Sequence, residues 1–354
     1  MIATLRHSCA KWFRATNQEA PETSSGEAFS RESFPSSRSP TIGLALSCGG
    51  ARGLAHVGVI QVLEEEGIPI SAIAGTSMGA YVGSLWAAGL HGRKLEELAR
   101  EIKDRKTLLR LMDPVFPPSE GLIRGDKIRL HLERSLGTLD FSELPKPLLV
   151  IATDLDDLTA HVFDSGPVAT AVHASSAIPG VCAPVRLNGR RLVDGGASEP
   201  LPVSLLKMRF GVDAVIAVNV MPTPADIGAC RAKDVDAAKA GPRNALARWA
   251  SRFWRSINLL AYGNVMDTFQ RSLMSAQLRL VQKESERADI VIHPWFCEST
   301  WFDYENFDRY IAAGRAAAHA ALPEIRALLN QPTLEGGGHH ETYQSNPAVG
   351  LHAA

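Results

Sequence analysis

The sequence predicts an α/β protein built on a parallel sheet with right-handed crossovers, and three observations carry that expectation. Between residues 41 and 90, short apolar runs of strand length alternate with stretches of helical periodicity. Glycine-rich turns separate the first two runs from the helices that follow them. Of the 354 residues, 45% are hydrophobic and 21% charged, enough apolar material for one large domain or two ordinary ones.

The elements follow in order. "TIGLALSC" (41–48) reads as a buried strand that ends in glycines. In "LAHVGVIQVLEEEG" (54–67), Leu54, Val57, Val59, Ile60 and Leu63 share one helical face, and Gly67 stops the helix. "IPISAIAG" (68–75) is the next strand and "AYVGSLWAAGL" (80–90) the next helix. "LEELAREIKDRKTLLRLM" (95–112) has the period of a further helix. "PLLVIATDL" (147–155), "DAVIAVNV" (213–220) and "ADIVIHP" (288–294) read as later strands, and 311–330 as a closing helix. Residues 243–261 form an amphipathic pattern, with Leu246, Trp249, Phe253, Ile257 and Leu260 opposite Arg248, Arg252 and Arg255. Such a helix packs on its own domain or rests on a membrane or acyl chain; the first is the simpler expectation.

The two ends differ in composition from the middle. Residues 1–40 are rich in Ser, Pro and Glu and read as a disordered lead without an apolar signal region; its basic first 18 residues also suit a transit peptide or surface anchor. Residues 331–354 read as a disordered tail, with His339 and His340 solvated there. Between them, 41–210 form the expected core and 211–330 the remainder of the same domain. No charged residue occurs from Gly67 to Leu90, which is long enough to resemble a membrane span. Pro69 and five glycines in that stretch favour a strand, a tight turn and a buried helix instead.

A formal net charge of −1 argues against a nucleic-acid binder working through a broad basic face. The five cysteines (Cys9, Cys48, Cys182, Cys230 and Cys297) are scattered, without C-x-x-C spacing, so neither disulfides nor a zinc site is expected and a reducing compartment fits.

Chemistry concentrates in three stretches. "GTSMG" places Ser77 between Gly75 and Gly79, at a strand-to-helix junction where a nucleophile elbow belongs. "CGGARG" (48–53) follows the first strand and opens the first helix, so its backbone N–H groups and the helix dipole make an anion site. As a dinucleotide fingerprint it fails, because Cys48 stands at the first glycine position and no acidic residue closes the next strand. In a parallel sheet this loop and the elbow emerge at the same end. "DGG" at Asp194, Gly195 and Gly196 holds a carboxylate before a tight turn; by itself it equally suits a β-turn.

In this order, "GGARG", "GTSMG" and "DGG" resemble the oxyanion loop, elbow and aspartate motif of the patatin-like phospholipases, most nearly the small bacterial branch. Intervening text, "RGLAHVGVIQVLEEEGI", "ATDL", "ASSAIPGVCAPV" and "EPLPV", is similar as well, and the resemblance spans roughly residues 41–325. It implies a three-layer α/β/α fold with a mainly parallel central sheet. It also implies a Ser–Asp dyad in which Ser77 attacks an ester carbonyl and Asp194 takes its proton. Gly49, Gly50 and Ala51 would receive the oxyanion, with Arg52 and Gly53 shaping the loop. The expected activity is hydrolysis of fatty-acyl esters of lipids or phospholipids, with no metal or cofactor. The expected setting is the cytoplasm, with transient contact at a membrane surface; oligomeric state is open. Acyl transfer, thioester cleavage and lipid binding without turnover are the alternatives. Cys48 departs from a glycine common in the family's loop.

Two rival readings remain at this stage. His293 follows Asp194 in the chain order of a Ser–Asp–His triad. Cys48 offers a thiol beside the anion loop. His56 and His173 are expected to pack rather than react.

Overall fold

The computed structural model describes residues 40–102, 113–116, 120–237 and 265–330. Its strands are β1 (Ile42–Leu46), β2 (Ala72–Thr76), β3 (Leu148–Asp154), β4 (Thr159–Phe163), β5 (Val185–Leu187), β6 (Arg190–Asp194), β7 (Ala214–Val218) and β8 (Ile290–Ile292). They form one sheet in the order β5-β6-β3-β2-β1-β7-β8, with β4 also on β3. The run from β3 through β8 is parallel, and β4, β5 and β6 add antiparallel pairings at one side.

Strand alternation explains the layers. Ile42, Leu44 and Leu46 of β1, with Leu148 and Val150 of β3 and Ile216 and Val218 of β7, join the core on one face. Ala45, Leu149, Ile151, Val215 and Ala217 join the core on the other. Both faces are therefore covered, which is why these strands read as continuous apolar runs rather than as an alternation. The first face carries α1 (Ala55–Glu65), α2 (Met78–Ala87), α3 (Gly92–Ile102), α4 (Asp126–Leu136), α5 (Val168–Ser175) and, at the chain's far end, α9 (Phe307–Leu329). The second carries α6 (Val203–Phe210) and α8 (Val265–Ser285), with α7 (Pro224–Ala237) preceding it in sequence. The expected three-layer α/β/α fold is the one observed.

The apparent membrane span resolves into β2, an elbow and α2, and no helix among the described residues is long and apolar enough to cross a membrane. Of the helix expected over 95–112, α3 covers the first part, while 103–112 lie outside the described residues. The amphipathic stretch 243–261, the lead up to residue 39 and the tail from 331 also lie outside them.

One expectation is corrected. Cys230 of α7 and Cys297 form a disulfide, with Cα atoms 5.2 Å apart and a sequence separation of 67. Two cysteines brought together by tertiary packing leave no short-range spacing to read, so the cysteine argument for a reducing compartment no longer stands.

Candidate active site

The site forms where two strands end head to head. On one edge of β3, β2 runs parallel and finishes with Thr76 opposite Ile151. On the same edge β6 comes the other way and finishes with Asp194 opposite Ala152, the next residue of β3. The residue after β2 is Ser77, so the strand register alone delivers a hydroxyl and a carboxylate to one seam. Thr153 ties the seam down, its hydroxyl donating to the Asp194 carbonyl at 2.9 Å.

Ser77 has φ 57° and ψ −120°, a conformation that side chains rarely adopt, at the N-terminus of α2. Such a residue costs roughly 1–3 kcal/mol and persists only where its surroundings hold it. Its N–H donates to Ser175 Oγ at 2.8 Å, and that hydroxyl donates onward to the Ile151 carbonyl at 2.6 Å. Gly79 lets the turn sit against the end of β1, since a Cβ there would come within 2.6 Å of the Ser47 carbonyl oxygen. The same approach sets the elbow beside the loop that leaves β1.

Asp194 is 7% exposed and accepts the Gly196 N–H at 2.8 Å. Burial pushes its carboxyl up to about 6, while the neighbouring Ser77 side chain and the Gly196 N–H pull it the other way. The serine and the carboxylate are thus partners in one buried contact.

The glycine loop lies next to them. Gly50 takes a positive φ of 58°, and Gly53 packs against Met78, the residue after Ser77. Among the described residues, the N–H groups of Gly49 and Gly50 meet no protein acceptor, whereas that of Ala51 donates to the Trp301 carbonyl at 2.7 Å. The expected oxyanion set is thereby corrected for Ala51, whose donor is already engaged. Arg52 is buried. Its Nη2 and Nε donate to the carbonyl and hydroxyl of Ser299 at 3.1 and 3.3 Å, and its guanidinium lies over the Trp295 ring at 5.1 Å. Burial lowers the pKa of this cation.

The rival groups are placed elsewhere or silenced. His293 is fixed by the Asn219 carbonyl and by Asp226, each at 2.8 Å, and makes no hydrogen bond to Ser77. His56 is fully buried, donates from Nε2 to the Ser47 carbonyl at 2.9 Å, and is pushed down to about 4 by burial. His173 faces Gly125, at the start of α4, and burial lowers it too. Burial, then the Asp194 charge, pushes the Cys48 thiol upward, the opposite of what a nucleophilic thiolate needs. Sequence reasoning overlooked Ser175, Ser299 and Trp301, because each acts from a distant segment that only the fold brings in.

The site thus combines a strained serine at a strand-to-helix elbow, a buried aspartate and a glycine loop at strand ends of the α/β sheet. Residues 44–207 match the family model for patatin-like phospholipase. An uncharacterized NTE family protein of Mycobacterium bovis is 41% identical over 226 residues, which is 63% of this chain and 58% of that protein. Lysophospholipase NTE1 of Candida albicans is 31% identical over 180 residues, 51% of this chain and 13% of that one. The chain thus spans less than two thirds of the relatives it matches. The crystal structure of VipD from Legionella pneumophila aligns at TM-score 0.42 and 15% identity, covering 81% of this chain and 67% of that one.

Proposed function

We propose that this protein is a serine acyl hydrolase that cleaves fatty-acyl esters of lipids or phospholipids through a Ser77–Asp194 dyad. The contact between the Ser77 side chain and the buried Asp194 carboxylate carries the reading. Ser77 Oγ attacks the ester carbonyl while Asp194 takes its proton. A carboxylate raised to about 6 is ionised at neutral pH yet basic enough to share a proton as the bond forms. The oxyanion is received by the N–H groups of Gly49 and Gly50 at the mouth of a helical turn. Arg52 adds a buried positive charge behind them. As the tetrahedral adduct collapses, the C–O bond breaks and the alcohol leaves with the proton from Asp194. Water then repeats the sequence on the acyl-enzyme, with Asp194 again as base.

Esters suit this arrangement because an alkoxide leaving group needs less protonation than an amine. The match of residues 44–207 to the patatin-like phospholipase model and the similarity to a lysophospholipase support lipid esters as the substrate class. Contact with a lipid surface is part of the same reading. Phe302 is 62% exposed next to Trp301, whose carbonyl holds the oxyanion loop, so an apolar side chain stands in solvent near the site.

The test is covalent labelling with a fluorophosphonate followed by peptide mass spectrometry. Attachment at Ser77, lost in Ser77→Ala, supports the hydrolase reading. An unlabelled protein that still binds lipid vesicles would replace it with a binding role.

A further inference from the structure

The segment after β8, residues 295–301, crosses the glycine loop as a strap. Four contacts join them: the two bonds from Arg52 to Ser299, the Trp295 ring under the guanidinium, and the Ala51 N–H on the Trp301 carbonyl. The strap is itself anchored at both ends. Tyr310 of α9 accepts the Thr300 N–H at 3.0 Å and donates to the Thr300 carbonyl at 3.1 Å. Cys297 is bonded to Cys230.

Ser299 is 6% exposed and Arg52 9% exposed. Among the described residues no carboxylate pairs with Arg52, so a buried cation depends on a neutral serine and an aromatic ring. A buried charge held only by neutral groups is expensive and sensitive to the loss of any of them. Arg52 lies in the same short turn as the N–H groups of Gly49 and Gly50, and Gly50 holds a positive φ there. Whatever fixes Arg52 therefore fixes the direction of those two donors.

We propose that Ser299 is a positioning residue for the oxyanion loop, acting through Arg52. The proposal rests on the hydrolase reading above. Ser299 touches neither Ser77 nor Asp194, so its removal leaves substrate binding and the dyad in place while loosening the loop that meets the charge formed during reaction. The expected signature is a fall in kcat without a matching rise in KM.

The experiment compares steady-state hydrolysis of a p-nitrophenyl ester by wild type, Ser299→Ala, Ser299→Thr, Arg52→Lys and the double variant Arg52→Lys/Ser299→Ala, with thermal melts of each. Loss of a whole oxyanion donor costs about 100- to 1000-fold in kcat, so a residue one step removed is expected to cost roughly 10-fold. Ser299→Thr, which keeps the hydroxyl, is expected to restore kcat to within about 3-fold of wild type. In the Arg52→Lys background, Ser299→Ala should add less than about 2-fold, since the two residues act as one unit. An unchanged kcat in Ser299→Ala, a rise in KM instead, or an equal loss in the Arg52→Lys background overturns the proposal. If wild type labels at Ser77 and Ser299→Ala matches it in rate, the positioning role falls and the hydrolase survives. If wild type neither labels nor turns over, both fall together.

Discussion

Ser77 and Asp194 meet because the strands that carry them end against consecutive residues of β3, Ile151 and Ala152. Nothing in the local sequence around either residue encodes the meeting. It is a consequence of register, and it places the hydroxyl against a carboxylate that burial has pushed to about 6.

A first prediction concerns the pH dependence of turnover. In the proposed dyad the active form needs Asp194 ionised, so kcat/KM should rise with pH along a limb near 6, and at pH 5 it should be lower by about 10-fold. His56→Ala and His293→Ala should leave that limb where it is. A limb that moves or vanishes in either variant would assign the base to a histidine.

Stability should show the opposite dependence. Asp194 has a folded-state value raised above its ordinary 3.8. The stability linked to its protonated form is therefore full below about pH 4 and is lost as pH rises through about 6. At about 1.4 kcal/mol per unit, the cost of keeping it charged at neutral pH is on the order of 3 kcal/mol. Asp194→Asn should accordingly melt higher than wild type at pH 7.5, with the gap closing below about pH 4. Melts across that range check both the sign and the window.

Ser175 supports the elbow from below. In Ser175→Ala the Ser77 N–H and the Ile151 carbonyl lose their shared partner. Stranding buried polar groups costs about 1–3 kcal/mol, so the chemical-denaturation midpoint should fall and kcat with it. Gly79→Ala should do more harm, because its Cβ would meet the backbone at Ser47 rather than a side chain that can move.

The disulfide makes a chemical prediction of its own. Titration of thiols in denaturant should find two fewer without reductant than after reduction, and Cys230→Ser should abolish that difference.

Much of this architecture could be read in advance, and the reasons are physical. Strands β1, β2, β3 and β7 are buried on both faces and announce themselves as apolar runs. Ser77 was legible because a glycine-flanked serine between a strand and a helix has few other uses. Asp194 was ambiguous alone, since an aspartate before two glycines equally makes a turn. Its meaning came from its company. What could not be read was whatever depends on contacts across long stretches of chain. Ser299 lies 247 residues from Arg52, and the Trp301 carbonyl that occupies the Ala51 N–H arrives from the same distant strap. Cys230 and Cys297 were hidden for the same reason.

The most direct test of the dyad is kcat/KM on short and long p-nitrophenyl esters for wild type, Ser77→Ala, Asp194→Asn, His56→Ala and His293→Ala. The account predicts that turnover disappears in the first two variants and persists in both histidine variants. Loss of turnover in His293→Ala, or full activity in Asp194→Asn, would contradict it.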